Sequence, residues 1–249
     1  MKLTGNTIFI TGGGSGIGRA LAEALHKLGN KVIISGRSKE RLEETIQANP
    51  GISAVELNVQ DPASIEAAAK QLIEEHPDLN VLVNNAGIIQ PDDAGGVIDE
   101  DVLVSTVKTN LLGPIRMTSA LIEHLKSKEE AVVINTTSIL GFMPLAATAV
   151  YSATKAALHT YTLSQRYMLK DTSVKVLEIV PPWVQSNNDE PRAMPLASFI
   201  EATIKVLGTD TDEVLVEEAK MFRNNPGPNE GVFVTQFNDS MRSQPPKIH

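Results

Sequence analysis

Cysteine is absent from the 249 residues, and its absence excludes disulfides, thiolate nucleophiles and every cysteine-ligated metal site. Aromatic residues are scarce, at 4%, so the core has to be built from aliphatic side chains. No stretch approaches the roughly 18–20 apolar residues that a membrane-spanning helix requires. Basic residues are not in excess either. The 22 Lys and Arg stand against 30 Asp and Glu, a formal charge of −8, which argues against a surface built to neutralise nucleic-acid phosphates. A small anionic ligand needs only a local positive site and stays allowed. The five histidines, His26, His76, His124, His159 and His249, are scattered without metal-ligand spacing, so no metal is expected. Thr7-Ile8-Phe9-Ile10, behind Lys2, is too short for a secretory signal. With no cysteine either, the expected compartment is the cytosol.

What is present suffices for one α/β domain with a single core: 42% of the residues are hydrophobic. Short β-branched runs alternate with amphipathic segments. Strands are predicted at Thr7–Ile10, Lys31–Ser35, Ala54–Leu57, Val81–Val83, Ala131–Asn135 and Val174–Ile179, with Glu213–Val216 as an edge. Helices are predicted from Ile17 through Leu21, Leu25 and Leu28, and over Ile65–Glu75, Val102–Lys126, Thr154–Leu169 and Leu196–Leu207. Apolar runs that do not alternate, flanked by helices, predict a parallel sheet covered on both faces. The expected fold is therefore a doubly wound, Rossmann-type α/β sheet. After Asn187-Asn188-Asp189-Glu190-Pro191, a loop, the texture changes; Asn224-Asn225-Pro226-Gly227-Pro228 breaks the chain again before a tail with Pro245-Pro246. No second core-sized pattern follows. The expectation is one domain over 1–249, with 1–186 as cofactor-binding and catalytic core and 187–249 as substrate lid and C-terminal appendage.

The first predicted strand runs into Thr11-Gly12-Gly13-Gly14-Ser15-Gly16-Ile17-Gly18 and then a helix. A tight turn alone could use this many glycines. The strand before and helix after point instead to a dinucleotide cradle, where glycines admit a pyrophosphate and the helix start offers free N–H groups. At the end of the second strand, Gly36 stands in the slot of the acid that would hold the ribose of NAD, and Arg37 follows. Arg37 either caps a surface turn or grips a 2′-phosphate; the second option makes NADP the expected cofactor, with NAD the lesser choice. Further on, Tyr151 and Lys155 are four apart, on one helix face, thirteen residues after Ser138. A phenol beside an ammonium makes a tunable acid, suited to carbonyl reduction or alcohol oxidation. With the positive ring of an oxidised cofactor, Lys155 is expected to lower the phenol's pKa by about three units, roughly 4 kcal/mol. Trp183, Phe142, Met143 and Leu145 are expected either to wall an apolar pocket or to pack the core. Arg19 is read as a phosphate contact or a solvated residue, and His159 chiefly as helix packing.

In order, Thr11-Gly12…Gly16…Gly18, Asn84-Asn85-Ala86-Gly87, Asn110, Ser138 and Tyr151…Lys155 resemble the short-chain dehydrogenase/reductase family, over nearly the whole chain. The resemblance implies Asn110, Ser138, Tyr151 and Lys155 as catalytic residues. It implies that Gly12, Ser15, Gly16, Ile17 and Gly18 meet the cofactor. It also implies that Asn58 and Val59 border the adenine, that Asn85, Ala86 and Gly87 line the cofactor wall, and that Pro181-Pro182-Trp183-Val184 faces the nicotinamide. Lys155 is then expected on the nicotinamide ribose, Ser138 on the substrate oxygen, and Asn110 on a water behind Lys155. Lys170-Asp171-Thr172-Ser173-Val174-Lys175-Val176 and the double proline resemble a branch of oxidoreductases named after D-alanylation of lipoteichoic acid. The chain departs from the family at Pro182, where glycine is usual, at Ser186, where threonine is usual, and in lacking an Asp-Gly-Gly ending. The expected activity is NADP-dependent hydride transfer between nicotinamide and a carbonyl or secondary alcohol on a small, partly apolar substrate. The rival reading is a non-catalytic NADP(H)-binding sensor or interaction module. Family likeness also implies a homodimer or homotetramer, joined through the helices at Val102–Lys126 and Thr154–Leu169.

Overall fold

Neighbouring parallel strands need a long return between them, and the helices between the apolar runs supply it. The computed structural model describes residues 1–185, 190–225 and 227–243. Ser186, the loop start Asn187-Asn188-Asp189, Pro226, the Pro245-Pro246 tail and His249 lie outside the described residues. The strands are β1 (Thr7–Thr11), β2 (Lys31–Gly36), β3 (Ser53–Glu56), β4 (Leu79–Asn84), β5 (Ala131–Thr136), β6 (Val174–Ile179) and β7 (Glu213–Val214). They form one seven-stranded sheet ordered β3-β2-β1-β4-β5-β6-β7, parallel throughout. The expected doubly wound sheet is the observed one. Strand order reverses between β1 and β4, so a crevice opens at their C-terminal ends.

Around the sheet lie α1 (Gly16–Lys27), α2 (Lys39–Ala48), α3 (Pro62–Glu75), α4 (Glu100–Val107), α5 (Gly113–Lys126), α6 (Ala149–Leu169), α7 (Leu196–Leu207), α8 (Glu217–Arg223) and α9 (Glu230–Ser243). Successive strand residues face opposite ways, and the core divides accordingly. Ile8, Ile10, Val32, Ile34, Val81 and Val83 pack on the α1 and α7 side. Phe9, Ile33, Leu82 and Val133 pack with Ile65 and Leu72 of α3 and with Met117 and Leu121 of α5. Four departures from the sequence expectation appear, and two have physical causes. The predicted helix over Val102–Lys126 is split into α4 and α5 by a π-helical turn at Lys108–Leu112. Pro114 lacks the N–H that the carbonyl of Asn110, four residues earlier, would accept, and the ladder widens there. The edge strand stops at Val214, and α6 begins at Ala149, so that Tyr151 falls on its first turn. Helix α2 escaped the reading because its sequence buries little, Leu42 and Thr45 only.

On the α5 and α6 side, the C-terminal ends of the central strands carry a polar row: Asn84, Asn135 and Glu178 are neighbours in register. Buried polar groups need partners, and these reach both helices. Asn84 donates to Thr118 of α5 and to Asn135, each at 2.9 Å. Asn135 donates to Thr162 at 2.9 Å and Gln165 at 3.0 Å, both on α6. Asn135→Ala would strand these groups and is expected to lower stability by about 2–4 kcal/mol in urea unfolding. A loss within 0.5 kcal/mol, roughly that of a surface change, would contradict this account.

Candidate active site

The glycine turn after β1 is shaped by close contact with the chain after β4. Gly12 adopts φ +71°, and a Cβ there would lie 2.9 Å from Cα of Ala86. A Cβ on Gly18 would collide with the Gly12 carbonyl and the Asn85 amide. Thr11 braces the same junction, its hydroxyl accepting the N–H groups of Asn85 and Ala86, each at 3.0 Å. Ser15 is the N-cap of α1, with no side-chain capping bond. The turn therefore presents bare backbone and the positive end of a helix to a crevice of about 1300 Å³.

Gly12, Ser15, Gly16, Ile17 and Gly18 all line this crevice. So do Arg37, Asn58, Val59, Asn85, Ala86, Gly87 and Val184. Ser138, Tyr151 and Lys155 line it as well. Ser35, whose buried hydroxyl has no protein partner, also faces it. Volume, the glycine approach and this unpartnered hydroxyl fit a bound dinucleotide. Arg41, on α2, lines the crevice beside Arg37 and was missed because α2 was not read as a helix.

Asn110 differs from its neighbours: it is fully buried and does not line the crevice. Its side-chain amide donates to the Ile88 carbonyl at 2.8 Å, and its oxygen accepts the Ile88 N–H at 2.9 Å. A further bond reaches Thr154 at 3.3 Å. The side chain is thus a clamp between the π-turn and the segment after β4, rather than a ready ligand for water.

Tyr151 and Lys155 stand together on α6, the ammonium 5.6 Å from the phenol ring centre. Lys155 is buried and donates to the Thr136 carbonyl at 2.8 Å. Burial pulls its pKa from 10.5 to about 8, partly opposed by the negative charge of Glu178. Tyr151 keeps some exposure to the crevice, yet the protein around its phenol pushes the pKa up to about 12. The Ser138 hydroxyl acts against this rise. The expected fall of about three units is therefore not found in the protein alone. Desolvation of the phenolate dominates, and burial likewise disfavours the charge on Lys155.

Leu145 and Trp183 line the crevice as expected of pocket walls, but Phe142 and Met143 do not. Phe142 packs edge-on against His159 with ring centres 4.7 Å apart, and Met143 is core. Arg19 pairs with Glu23 at 2.9 Å, away from the crevice. Helix α9 closes one end: Phe237 and Met241 line it, and Asn238 binds the backbone of Ala146 at 2.6 Å and Pro144 at 2.9 Å. Among the described residues no cluster of three or more potential metal ligands occurs, and no helix is long and apolar enough to cross a membrane.

A glycine cradle at the switch point of a parallel sheet, sharing its crevice with a tyrosine and a buried lysine, defines a nucleotide-binding oxidoreductase. The family model described as short chain dehydrogenase matches residues 6–195, and the chain belongs to that family. It is 44% identical over 187 residues to the uncharacterized oxidoreductase DltE of Bacillus subtilis (strain 168), spanning 75% of this chain and 74% of that protein. The likeness to the branch named after D-alanylation is thereby borne out. A short chain dehydrogenase from Burkholderia cenocepacia J2315 in complex with NADP superposes with a TM-score of 0.83 at 25% identity, over 95% of this chain and 98% of that one. A short chain dehydrogenase/reductase from Burkholderia phymatum in complex with NAD shares the fold, with a TM-score of 0.81 at 20% identity over 90% and 94% of the two chains.

The lysine shift has a consequence for stability. Between about 8 and 10.5 the unfolded chain holds a proton on Lys155 that the folded protein has released. Stability from this group therefore rises with pH across that window, by on the order of 3 kcal/mol, and is lost as pH falls through 8. Tyr151 acts oppositely above pH 10, being protonated longer when folded. Urea unfolding of the parent protein against Lys155→Met should show the difference growing from pH 8 to 10. A constant difference would contradict the burial of the amine.

Proposed function

We propose that this protein is an NADP-dependent oxidoreductase that moves hydride between nicotinamide and a carbonyl or secondary alcohol of a small, partly apolar substrate. The observation that carries this reading is the sharing of one crevice by the Gly12–Gly18 turn and by Ser138, Tyr151 and Lys155. The cofactor, when bound, supplies or accepts the hydride. The remaining work falls to the chain. The bare N–H groups of the turn and Ser15 hold the pyrophosphate. Arg37 and Arg41 hold the 2′-phosphate, since β2 ends in Gly36 with no carboxylate to repel it. Asn58 and Val59 flank the adenine; Asn85, Ala86, Gly87 and Val184 flank the nicotinamide end.

Tyr151 is a phenol at neutral pH, the form that a reduction consumes as proton donor. Ser138 holds the substrate oxygen so that proton and hydride arrive on the same carbonyl. The Lys155 amine would hold the ribose of the bound cofactor and support negative charge on Tyr151. The Asn110 carbonyl, which Pro114 cannot bond, is the acceptor for a water behind Lys155. Leu145, Trp183 and Met194 supply an apolar wall. Residues 1–186 act as core, and 187–249 as lid and appendage, within one domain.

The protein works in the cytosol as a homodimer or homotetramer. Leu163, Tyr167 and Met168 support this, leaving 43%, 66% and 76% of their surfaces exposed along α6.

Two measurements test the reading. NADPH oxidation with a panel of ketones and aldehydes should fall by about 10²–10⁴ in kcat for Tyr151→Phe, with cofactor affinity nearly unchanged. Retained turnover would reject the role of Tyr151, and cofactor binding without turnover across the panel would favour a sensor. By fluorescence titration, joint Arg37→Ala and Arg41→Ala should weaken NADPH roughly 10–100-fold and leave NADH nearly unaffected. Tighter NADH than NADPH binding by the parent protein would overturn the cofactor assignment.

A further inference from the structure

Glu178 of β6, the strand next to the sheet edge, is a carboxylate with 0% exposure on the α6 side, and nothing in the catalytic reading uses it. An ionised group in such a place is destabilising unless charges and donors around it compensate. Its donors are specific. The Thr137 hydroxyl donates at 2.6 Å, and His159 Nδ1 lies 3.0 and 2.9 Å from the two carboxylate oxygens. An ionised carboxylate only accepts, so the Nδ1 facing it carries the proton.

Both donors sit beside the proposed chemistry. Thr137 stands between Thr136, whose carbonyl receives the Lys155 amine, and Ser138. His159 follows Lys155 by one turn of α6. One buried carboxylate thus ties the end of β5 to the helix that carries Tyr151 and Lys155. The titratable and charged groups facing it are Lys155 and His159 from α6 and Arg223 from α8. Arg223 is already held by Glu213 of β7 through two bonds of 2.8 Å, and Arg166 of α6 faces Asp212 at 3.7 Å. Lys155 makes no salt bridge among the described residues, and Glu178 is the acid whose charge it feels.

We propose that Glu178, braced by Thr137 and His159, is a positioning residue: the buried counter-charge that holds the Lys155 ammonium in register with Ser138 and Tyr151. The inference rests on the assignment of Lys155 to the active site, but its test does not need turnover. Unfolding would be measured for the parent protein, Glu178→Gln, Lys155→Met and the double variant. Glu178→Gln leaves a buried cation uncompensated in the parent, and none in the Lys155→Met background. Its effect on the unfolding constant should therefore be smaller in that background by about tenfold or more. Should Glu178→Gln fail to fold, the double variant should recover a folded state. Equal damage in both backgrounds, or no recovery, would overturn the proposal and leave Glu178 a structural residue. In folded protein, the labelled Lys155 side chain should titrate at lower pH in Glu178→Gln than in the parent, and return toward the parent in Glu178→Asp. An unmoved titration would also overturn it. Absence of turnover in the parent would refute the oxidoreductase reading alone.

Discussion

The amine of Lys155 has to be kept inside the protein, next to a phenol, and still carry a proton when needed. That constraint organises the upper edge of the central sheet. The Thr136 carbonyl takes one of its donors directly. Burial nonetheless brings its pKa down to about 8, close to the pH at which the protein would work. A free surface lysine, near 10.4, would hold its proton throughout that range. The same burial lifts Tyr151, so the resting pair is a neutral phenol beside an ammonium that is readily deprotonated.

The frame that holds this pair is a rigid one. Asn84 at the end of β4, and Asn135 and Glu178 one residue before the ends of β5 and β6, each reach across to a helix. On the other side, Gly12 and Gly18 let β1 and β4 approach closely enough to form a floor for the crevice. Substitution at either would push the two strands apart where the crevice opens. Helix α9 is fastened by Asn238 to the loop that follows Ser138, so that wall of the crevice and the loop are mechanically joined.

Much of this was legible in the sequence because it is local. A strand, a glycine turn and a helix are neighbours in the chain, and Tyr151 and Lys155 share a face by helical spacing alone. The alternation of apolar runs with helices was enough for the sheet and its crevice. What stayed hidden depends on partners far away in sequence. Glu178 reads as a polar interruption in Val176-Leu177-Glu178-Ile179; its meaning appears only when α6 brings His159 to it. Asn110 was found by family pattern, but its side-chain clamp on Ile88 depends on a π-turn caused by a proline four residues on. For Phe142 and Met143 the choice between pocket wall and core stayed open, because a short apolar loop does not reveal which side it turns inward; the structure turns both away from the crevice. The rise of the Tyr151 pKa in the protein alone stayed hidden for a related reason: a one-dimensional reading sees the lysine but not the burial.

The central claim is that cofactor and phenol meet at one point of one crevice, and it is tested most directly by a crystal structure with NADP bound. The account predicts the pyrophosphate on the Gly12–Gly18 turn and the Lys155 amine on the ribose. The nicotinamide should face Tyr151 with room for a carbonyl carbon roughly 3–3.5 Å from the ring. A nicotinamide turned away from Tyr151, or a dinucleotide seated elsewhere, would contradict it.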